Sequence, residues 1–458
     1  MPNTESTAHL HAPSTSTTPD NDFIHWFRNA TPYINTFRGR TFVITFGGEM
    51  LAADQFPHLV EDLVLLNSLG VKLVLVFGAR PQIEHLLKKR ELMTEMVNGI
   101  RLTDDKSLVA VRDAVASVRV EIESRLSMGM FNTPMAGSQI KVISGNFVTA
   151  KPVGVRDGID YLHTGEVRRI DHQAISHSLD NGAIVLLSPL GYSPTGEIFN
   201  LSAEDVATFT AASIHADKIV SLIAADGLFN SSGELIRELR LDEAEQMLQS
   251  MNLEDEDLAK TLFSAIYACN NGVKRAHIIN RNINGGLLLE LFTRDGIGTL
   301  ISPERYEIIR QATADDVVGI LELIAPLEDE GILVRRSRDV LETEIDHFTI
   351  IMREKTIIAC AALYPYAEEE IAEVACVAVH PDYRRQQRGD QLLQYLEKMA
   401  RKQGLLSLFV LTTHTAQWFQ ERGFHHSTLK ALPINRQQLY NYQRRSRVFT
   451  KSLQADKR

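Results

Sequence analysis

A chain of 458 residues is long for one domain and comfortable for two. Its composition, 44% hydrophobic and 23% charged, is that of a globular protein, and a net charge of −10 argues against a nucleic-acid-binding one. No apolar run reaches the roughly 18 residues of a membrane helix. The cysteines Cys269, Cys360 and Cys376 lie far apart in apolar contexts. They suggest a reducing, cytoplasmic setting with neither a disulfide framework nor a metal site.

Residues 1–21 are rich in Ser, Thr and Pro and read as a disordered tail. They lack the charged and apolar segments of a secretory signal. The first domain is expected over 22–303. An amphipathic helix is predicted over 23–36, then a buried strand over 41–46 that stops at Gly47-Gly48. A helix over 59–69 and a strand over 71–76 follow, the strand ending in Phe77-Gly78-Ala79-Arg80-Pro81. Further strands are predicted over 140–144, 183–188, 218–223 and 275–279. Strand, glycine turn, helix and strand in succession predict an α/β domain with a parallel sheet and sites at strand C-terminal ends.

The stretches FVITFGGE, GVKLVLVFGARPQI, GIRLTD, NLSAEDVAT and LLLELFTRDGIGT resemble the amino-acid kinase fold, acetylglutamate kinases in particular. Those kinases carry a lysine two residues before the Gly-Gly pair, where this chain has Thr45, and an HGGGP-like turn where it has FGARP. Phosphoryl transfer depends on positioning and charge stabilisation. The resemblance with these departures therefore implies a kinase fold without kinase activity. In arginine-sensitive members an N-terminal helix and the end of the domain form an arginine site. Carried over, this places Glu290, Gly296 and Gly298 on L-arginine, and a carboxylate beside backbone carbonyls suits a guanidinium. The residues alone leave open that Glu290 pairs locally and that the glycines only make turns.

Ser302-Pro303-Glu304-Arg305 reads as a boundary, with the second domain over 304–458. A strand is predicted over 306–312, a capped helix start at Thr313–Asp316 and a helix over 317–327. Strands follow over 348–353, 356–364 and 371–379, then a helix over 391–402, a strand over 407–412 and a short helix over 415–422. At the centre stands IAEVACVAVHPDYRRQQRGDQLLQYL, residues 371–396. The strand stops at His380-Pro381, because proline cannot continue a central ladder. The turn that follows is either a solvated basic loop or an anion cradle. Unpaired helix N–H groups, Gly389, and the arginines Arg384, Arg385 and Arg388 would suit a pyrophosphate.

The pattern V-A-V-H-P-x-Y-R-x-x-x-x-G resembles the acetyl-coenzyme A motif of GNAT acetyltransferases. The resemblance implies acetyl-coenzyme A as co-substrate. Cys376, Val377 and Val379 would lie along the acetyl-pantetheine arm, and Arg384, Arg385, Arg388, Gly389 and Asp390 on the phosphates. The family more often has glycine or alanine where this chain has Asp390.

Acetyl transfer to an amine needs a base, an oxyanion donor, a proton for the leaving thiolate and an aligned substrate. By resemblance Glu373 would be the base, acting through water. The residue alone is equally a solvated strand-end glutamate. The backbone N–H near Val377 is the expected oxyanion donor. The acid stays open between Thr412, Thr413 and water. Two basic clusters, LVRRSR ending at Arg338 and YQRRSR ending at Arg447, either decorate the surface or select a dicarboxylate. The segments ILELIAPLEDEGILVRRSR, LFVLTTHTAQWFQERGF and LPINRQQLYNYQRRSR resemble bacterial N-acetylglutamate synthases. The resemblance implies that Arg335, Arg336, Arg444 and Ser446 hold L-glutamate and that L-arginine inhibits. It further implies a homo-oligomer, in that family often a hexamer, with no nucleic acid and no membrane partner. Rival readings are an acetylglutamate kinase with an appended acetyltransferase, a noncatalytic arginine sensor and a protein-lysine acetyltransferase.

Overall fold

The computed structural model describes residues 19–52, 55–97, 99–127, 137, 139–251, 256–293, 295–303, 307–353, 356–384 and 388–453. They fall into two compact units, Met1–Glu304 and Arg305–Arg458. Among the described residues no helix is long and apolar enough to cross a membrane.

The first unit is built on an eight-stranded sheet. Its order is Glu238–Arg240, Thr299–Ser302, Arg275–Asn280, Lys218–Ile223, Thr41–Phe46, Lys72–Phe77, Ala183–Leu187 and Lys141–Ile143. All pairings are parallel except that of Arg275–Asn280 with Thr299–Ser302. The central strands are mostly apolar because both faces are covered. Phe42, Ile44, Leu73 and Leu75 enter one core, and Val43, Val74, Val76 and Val185 enter the other. Period-2 alternation therefore sorts consecutive residues into two cores, and each fully buried large side chain contributes roughly 1.5–3 kcal/mol. Gly48 lies at the end of the Thr41–Phe46 strand, where a Cβ would come 2.9 Å from the Gly78 carbonyl oxygen. The glycine turns thus let two strand ends meet closely.

Three features depart from the sequence expectation. The N-terminal helix runs Pro19–Phe37, so it takes in residues 19–21 of the expected tail. Proline is well tolerated in a first helical turn, whose N–H groups have no intrahelical partner. A second sheet of four short strands, Ile198–Asn200, Leu190–Tyr192, Val148–Pro152 and Gly165–Ile170, was not anticipated. The antiparallel strand Thr299–Ser302 makes the main sheet mixed.

The second unit holds a seven-stranded sheet in the order Glu307–Gln311, Phe348–Arg353, Thr356–Tyr366, Ile371–Val379, Ser407–Thr412, Arg447–Ser452 and His425–Ser427. Ile371–Val379 pairs antiparallel with Thr356–Tyr366 along its length. With Ser407–Thr412 it pairs in parallel only from Ile371 to Glu373. The reason lies in a bulge. The register slips opposite Cys360–Ala362, and Cys376 takes the left-handed backbone conformation with φ 52°. One extra residue reverses the facing of the strand. Ala372 and Val374 pack in the same core as Leu392 and Leu396 of the helix Arg388–Lys402. Beyond the bulge Val377 and Val379 take that side, while Cys376 and Ala378 face the core of Ile320 and Ile350. The helix starts at Arg388, three residues earlier than expected, so Gly389 and Asp390 belong to its first turn and not to the loop.

Candidate active site and effector pocket

Glu373 sits where the two parallel strands part. It is 7% exposed, and both its oxygens are taken by Arg436, from Nε at 2.6 Å and Nη2 at 3.1 Å. It is therefore a buried, paired carboxylate, unlike a solvated strand end. Arg436 comes from the short helix Ile434–Gln438, and its hydrogen bonds to Glu373 raise its pKa against its burial. Arg436 falls outside the two basic clusters that the sequence singles out. A lone arginine in LPINRQQ carries no signal for a carboxylate 63 residues away.

The neighbouring arginines divide. Arg336 is half-buried. Its N–H donates to Glu328 at 3.0 Å and its Nη1 to the Val334 carbonyl at 3.3 Å. Burial disfavours its charge, but Cys376, Tyr364 and Glu344 outweigh that and raise its pKa. Tyr364 donates its hydroxyl to Glu344 at 2.6 Å, and burial pushes the phenol well up. Arg335 points out to solvent and pairs with Asp329 at 2.9 Å. Arg444 donates to the Ile332 carbonyl, which joins the two basic clusters that the sequence keeps over a hundred residues apart. Ser446 is half-buried, and its carbonyl accepts the Tyr440 hydroxyl at 2.6 Å.

Cys376 is buried beside Cys360, whose thiol reaches the Cys376 carbonyl at 3.7 Å. The hydrogen bond between the thiols raises the pKa of Cys360 and lowers that of Cys376. Val377 and Val379 are half-buried on the helix-facing side of the strand. Thr412 bonds Thr415 through both its hydroxyl, at 2.9 Å, and that residue's N–H, at 3.0 Å.

The residues expected on phosphates are distributed differently from the expectation. Arg384 is exposed and donates to the Val379 carbonyl at 3.3 Å. Arg385 lies outside the described residues. Arg388 is 4% exposed, and its guanidinium is occupied by Glu307, the Tyr383 carbonyl and the Tyr383 ring. Asp390 pairs with Arg422, which stacks on Trp418 at 4.1 Å. A Cβ on Gly389 would come 2.9 Å from Trp418, so this glycine makes room for an indole. The side chains of Arg388 and Asp390 thus brace the scaffold, because burial demands partners for their charges. The helix-start amides and Arg384 remain for an anion.

In the first unit Glu290 lies beside Gly296 and Gly298 and pairs locally. Oε2 of Glu290 accepts the Ile297 and Gly298 N–H groups at 2.7 and 2.8 Å, and Oε1 meets His277 Nδ1 at 2.7 Å. His277 Nε2 lies 3.0 Å from Lys218 Nζ. The Lys218 ammonium sits 5.0 Å over the ring of Phe37, the last residue of the N-terminal helix. Burial opposes charge on Glu290, but the hydrogen bonds from His277 and the two amides prevail and hold its pKa at about 2. Burial, aided by Lys218, lowers His277 to about 4. A neutral imidazole then donates Nδ1–H to Glu290 and accepts from Lys218. A Cβ on Gly296, which has φ 58°, would come 2.4 Å from Glu290. Lys218 and His277 were missed because each lies at an ordinary buried strand position.

Thr45 lines a small, partly open pocket with Glu204, Thr208, Ser221, Thr261 and Ser264. Among the described residues no cluster fit to hold a metal ion occurs.

Comparison with known proteins agrees with this architecture. Residues 40–280 match the amino acid kinase family and residues 344–426 the acetyltransferase (GNAT) domain. The chain is 54% identical over 432 residues to an amino-acid acetyltransferase of Ectopseudomonas mendocina (strain ymp), spanning 94% of this chain and 100% of that one. It is similar to the crystal structure of N-acetylglutamate synthase from Neisseria gonorrhoeae complexed with coenzyme A and L-arginine. That match has a TM-score of 0.83 and 37% identity, over 94% of this chain and 100% of that one. The same synthase complexed with coenzyme A and N-acetyl-glutamate matches over the same shares at a TM-score of 0.61. An amino acid kinase domain followed by a GNAT domain, with this identity over nearly the whole chain, means that the protein belongs to the amino-acid acetyltransferase family of acyltransferases.

Proposed function

We propose that this protein is an N-acetylglutamate synthase, which moves acetyl from acetyl-coenzyme A to the α-amine of L-glutamate in the first step of arginine biosynthesis, under feedback inhibition by L-arginine. One observation carries the reading. A buried carboxylate, Glu373, stands at the parting of two parallel strands, held by a fork from Arg436. The stretch that carries Arg436 continues into Arg444 and Ser446, so the partner of the base and two residues assigned to the substrate carboxylates share one segment.

In this mechanism Arg336, Arg444 and Ser446 hold the substrate carboxylates, and Arg335 contributes long-range charge. Glu373 takes a proton from the α-ammonium through water, and the freed amine attacks the thioester carbonyl. The backbone N–H near Val377 stabilises the oxygen as it gains charge. The tetrahedral adduct collapses and breaks the carbon–sulfur bond. The coenzyme A thiolate takes a proton from Thr412, Thr413 or water. The Val377–Val379 edge aligns the pantetheine arm, and the helix-start amides of Gly389 and Asp390 with Arg384 hold the phosphates.

The first unit acts as a regulatory domain without kinase activity, since Thr45 cannot supply the charge a lysine would. Glu290, with Gly296 and Gly298, receives the arginine guanidinium. Inhibition and arginine affinity are then reciprocally linked for binding. The three buried free thiols suit a cytoplasmic enzyme, and the reading includes a homo-oligomer, checked by light scattering of the full chain.

The test is thiol release from acetyl-coenzyme A with L-glutamate, L-aspartate, L-glutamine or a lysine peptide, each with and without L-arginine. Release with glutamate, suppressed by arginine, supports both halves. Release indifferent to arginine removes the regulatory site. No release with glutamate overturns the synthase reading. ATP consumption with N-acetylglutamate would overturn the loss of kinase activity.

A further inference from the structure

In the resting site Glu373 is engaged. Arg436 meets it in a fork, two parallel N–H···O bonds at 2.6 and 3.1 Å, inside the fold. Such a fork fixes the plane and rotation of a carboxylate. An ionised carboxylate offers about four acceptor directions, so the fork uses one on each oxygen and leaves others open.

Arg436 is itself anchored. Its Nη1 donates to the Leu439 carbonyl at 3.3 Å, and the adjacent Gln437 donates to the Leu432 carbonyl at 2.8 Å. Pro433, which caps the helix Ile434–Gln438, sets where that helix starts. The chain then runs directly into the segment carrying Arg444 and Ser446. One continuous stretch thus bears the partner of Glu373 and two residues assigned to the substrate.

We propose that Arg436 is a positioning residue for acetyl transfer, holding the Glu373 carboxylate in one orientation so that its open lone pairs receive, through water, the proton given up by the substrate ammonium. This rests on the reading of Glu373 as the base. The proton balance is complete. The ammonium loses one proton, water relays it, and Glu373 gains it as the nitrogen–carbon bond forms. Arg436 exchanges no proton and keeps both hydrogen bonds throughout. Lysine cannot replace it, because an ammonium is a point charge without the fork.

The test uses the full-length protein with acetyl-coenzyme A and L-glutamate, in variants R436K, R436A, E373Q and R436A/E373Q. R436K preserves the charge and so the fold, which its melting curve and unchanged KM for acetyl-coenzyme A would verify. Its kcat is expected to fall about 10²-fold, the scale of loss when a reacting group is misplaced. Methylguanidinium is expected to restore part of the R436A rate and none of the R436A/E373Q rate. The double variant is expected to be about as slow as E373Q, because the arginine acts through the glutamate. R436K at the wild-type kcat, beside a slow E373Q, overturns the proposal and leaves the base reading standing. So does a rate loss in the double variant that equals the product of the two single losses. E373Q at the wild-type kcat overturns the base reading, and the proposal with it.

Discussion

Arg388 donates from Nε to both carboxylate oxygens of Glu307, at 3.0 and 2.9 Å, across 81 residues of sequence. Arg353 joins the same carboxylate at 3.4 Å, and Arg388 lies against the Tyr383 ring. The edge strand Glu307–Gln311 is thereby tied to the first turn of the helix that follows the basic loop. Removing one partner of a buried pair leaves an uncompensated charge, which typically costs about 3–5 kcal/mol. E307A is expected to destabilise the protein on that scale in urea unfolding. It should also raise the KM for acetyl-coenzyme A, because the helix start loses its brace. An unchanged midpoint and KM would contradict this.

The Lys218–His277–Glu290 chain gives a definite pH dependence. His277 is held near 4 by burial and Lys218, below its ordinary 6.5, and Glu290 near 2, below 4.5. Groups with depressed pKa values stabilise the fold fully above their unfolded values. That stability is lost as pH falls through the folded ones. The His277 contribution therefore declines between about pH 6.5 and 4, and that of Glu290 between about 4.5 and 2. Melting temperatures from pH 8 to 4 should fall, and H277Q should flatten the upper part of that fall.

A variant at Glu290 tests the proposed effector site. E290A leaves the Ile297 and Gly298 amides and the His277 ring without their acceptor, at about 1–3 kcal/mol for each unsatisfied group. Its thiol-release rate with L-glutamate should persist at permissive temperature, while inhibition by L-arginine disappears. Full inhibition by arginine would remove Glu290 from the effector site.

Asp62, buried in the helix Phe56–Ser68, has the opposite sign. Burial, with help from Glu61, raises its pKa from 3.8 to about 7. A raised folded pKa means that the group opposes folding increasingly as pH climbs from about 4 to 7, with the penalty constant above. D62N should stabilise the protein, with a gain that grows over that interval and then levels off in paired melting curves. A gain independent of pH would show that Asp62 does not titrate there.

Gly389 offers a steric test. An added Cβ would lie 2.9 Å from Trp418, which carries the stacked Arg422 and through it Asp390. G389A should displace the indole and raise the KM for acetyl-coenzyme A several-fold, with little change in the KM for glutamate. Equal effects on both would assign the glycine a wider structural role.

Much of this protein was legible because its signals are local. Near-continuous apolar runs at Thr41–Phe46 and Lys72–Phe77 announce buried strands, and the glycines after them announce their ends. Thr45 in place of a lysine, and the order strand, His-Pro turn, arginines and helix, are readable without any partner. The four short strands were not legible: Val148–Pro152 and Gly165–Ile170 mix exposed polar residues with buried ones, and Leu190–Tyr192 and Ile198–Asn200 are too brief for a pattern to stand out.

What the tertiary structure alone decided is which charges meet. Adjacent residues Arg335 and Arg336 are indistinguishable by type, yet one faces solvent and the other is half-buried, its N–H held by Glu328. The facing of Val377 and Val379 depends on a bulge at Cys376, which slips the register by one and exchanges the two faces of the strand. Glu373 with Arg436, Arg388 with Glu307 and His277 with Lys218 join residues 59 to 81 positions apart. Secondary-structure patterning follows from each residue's own backbone and side-chain preferences. A buried charge takes its partner from whatever the packed chain brings within about 3 Å, and that is a property of the fold as a whole.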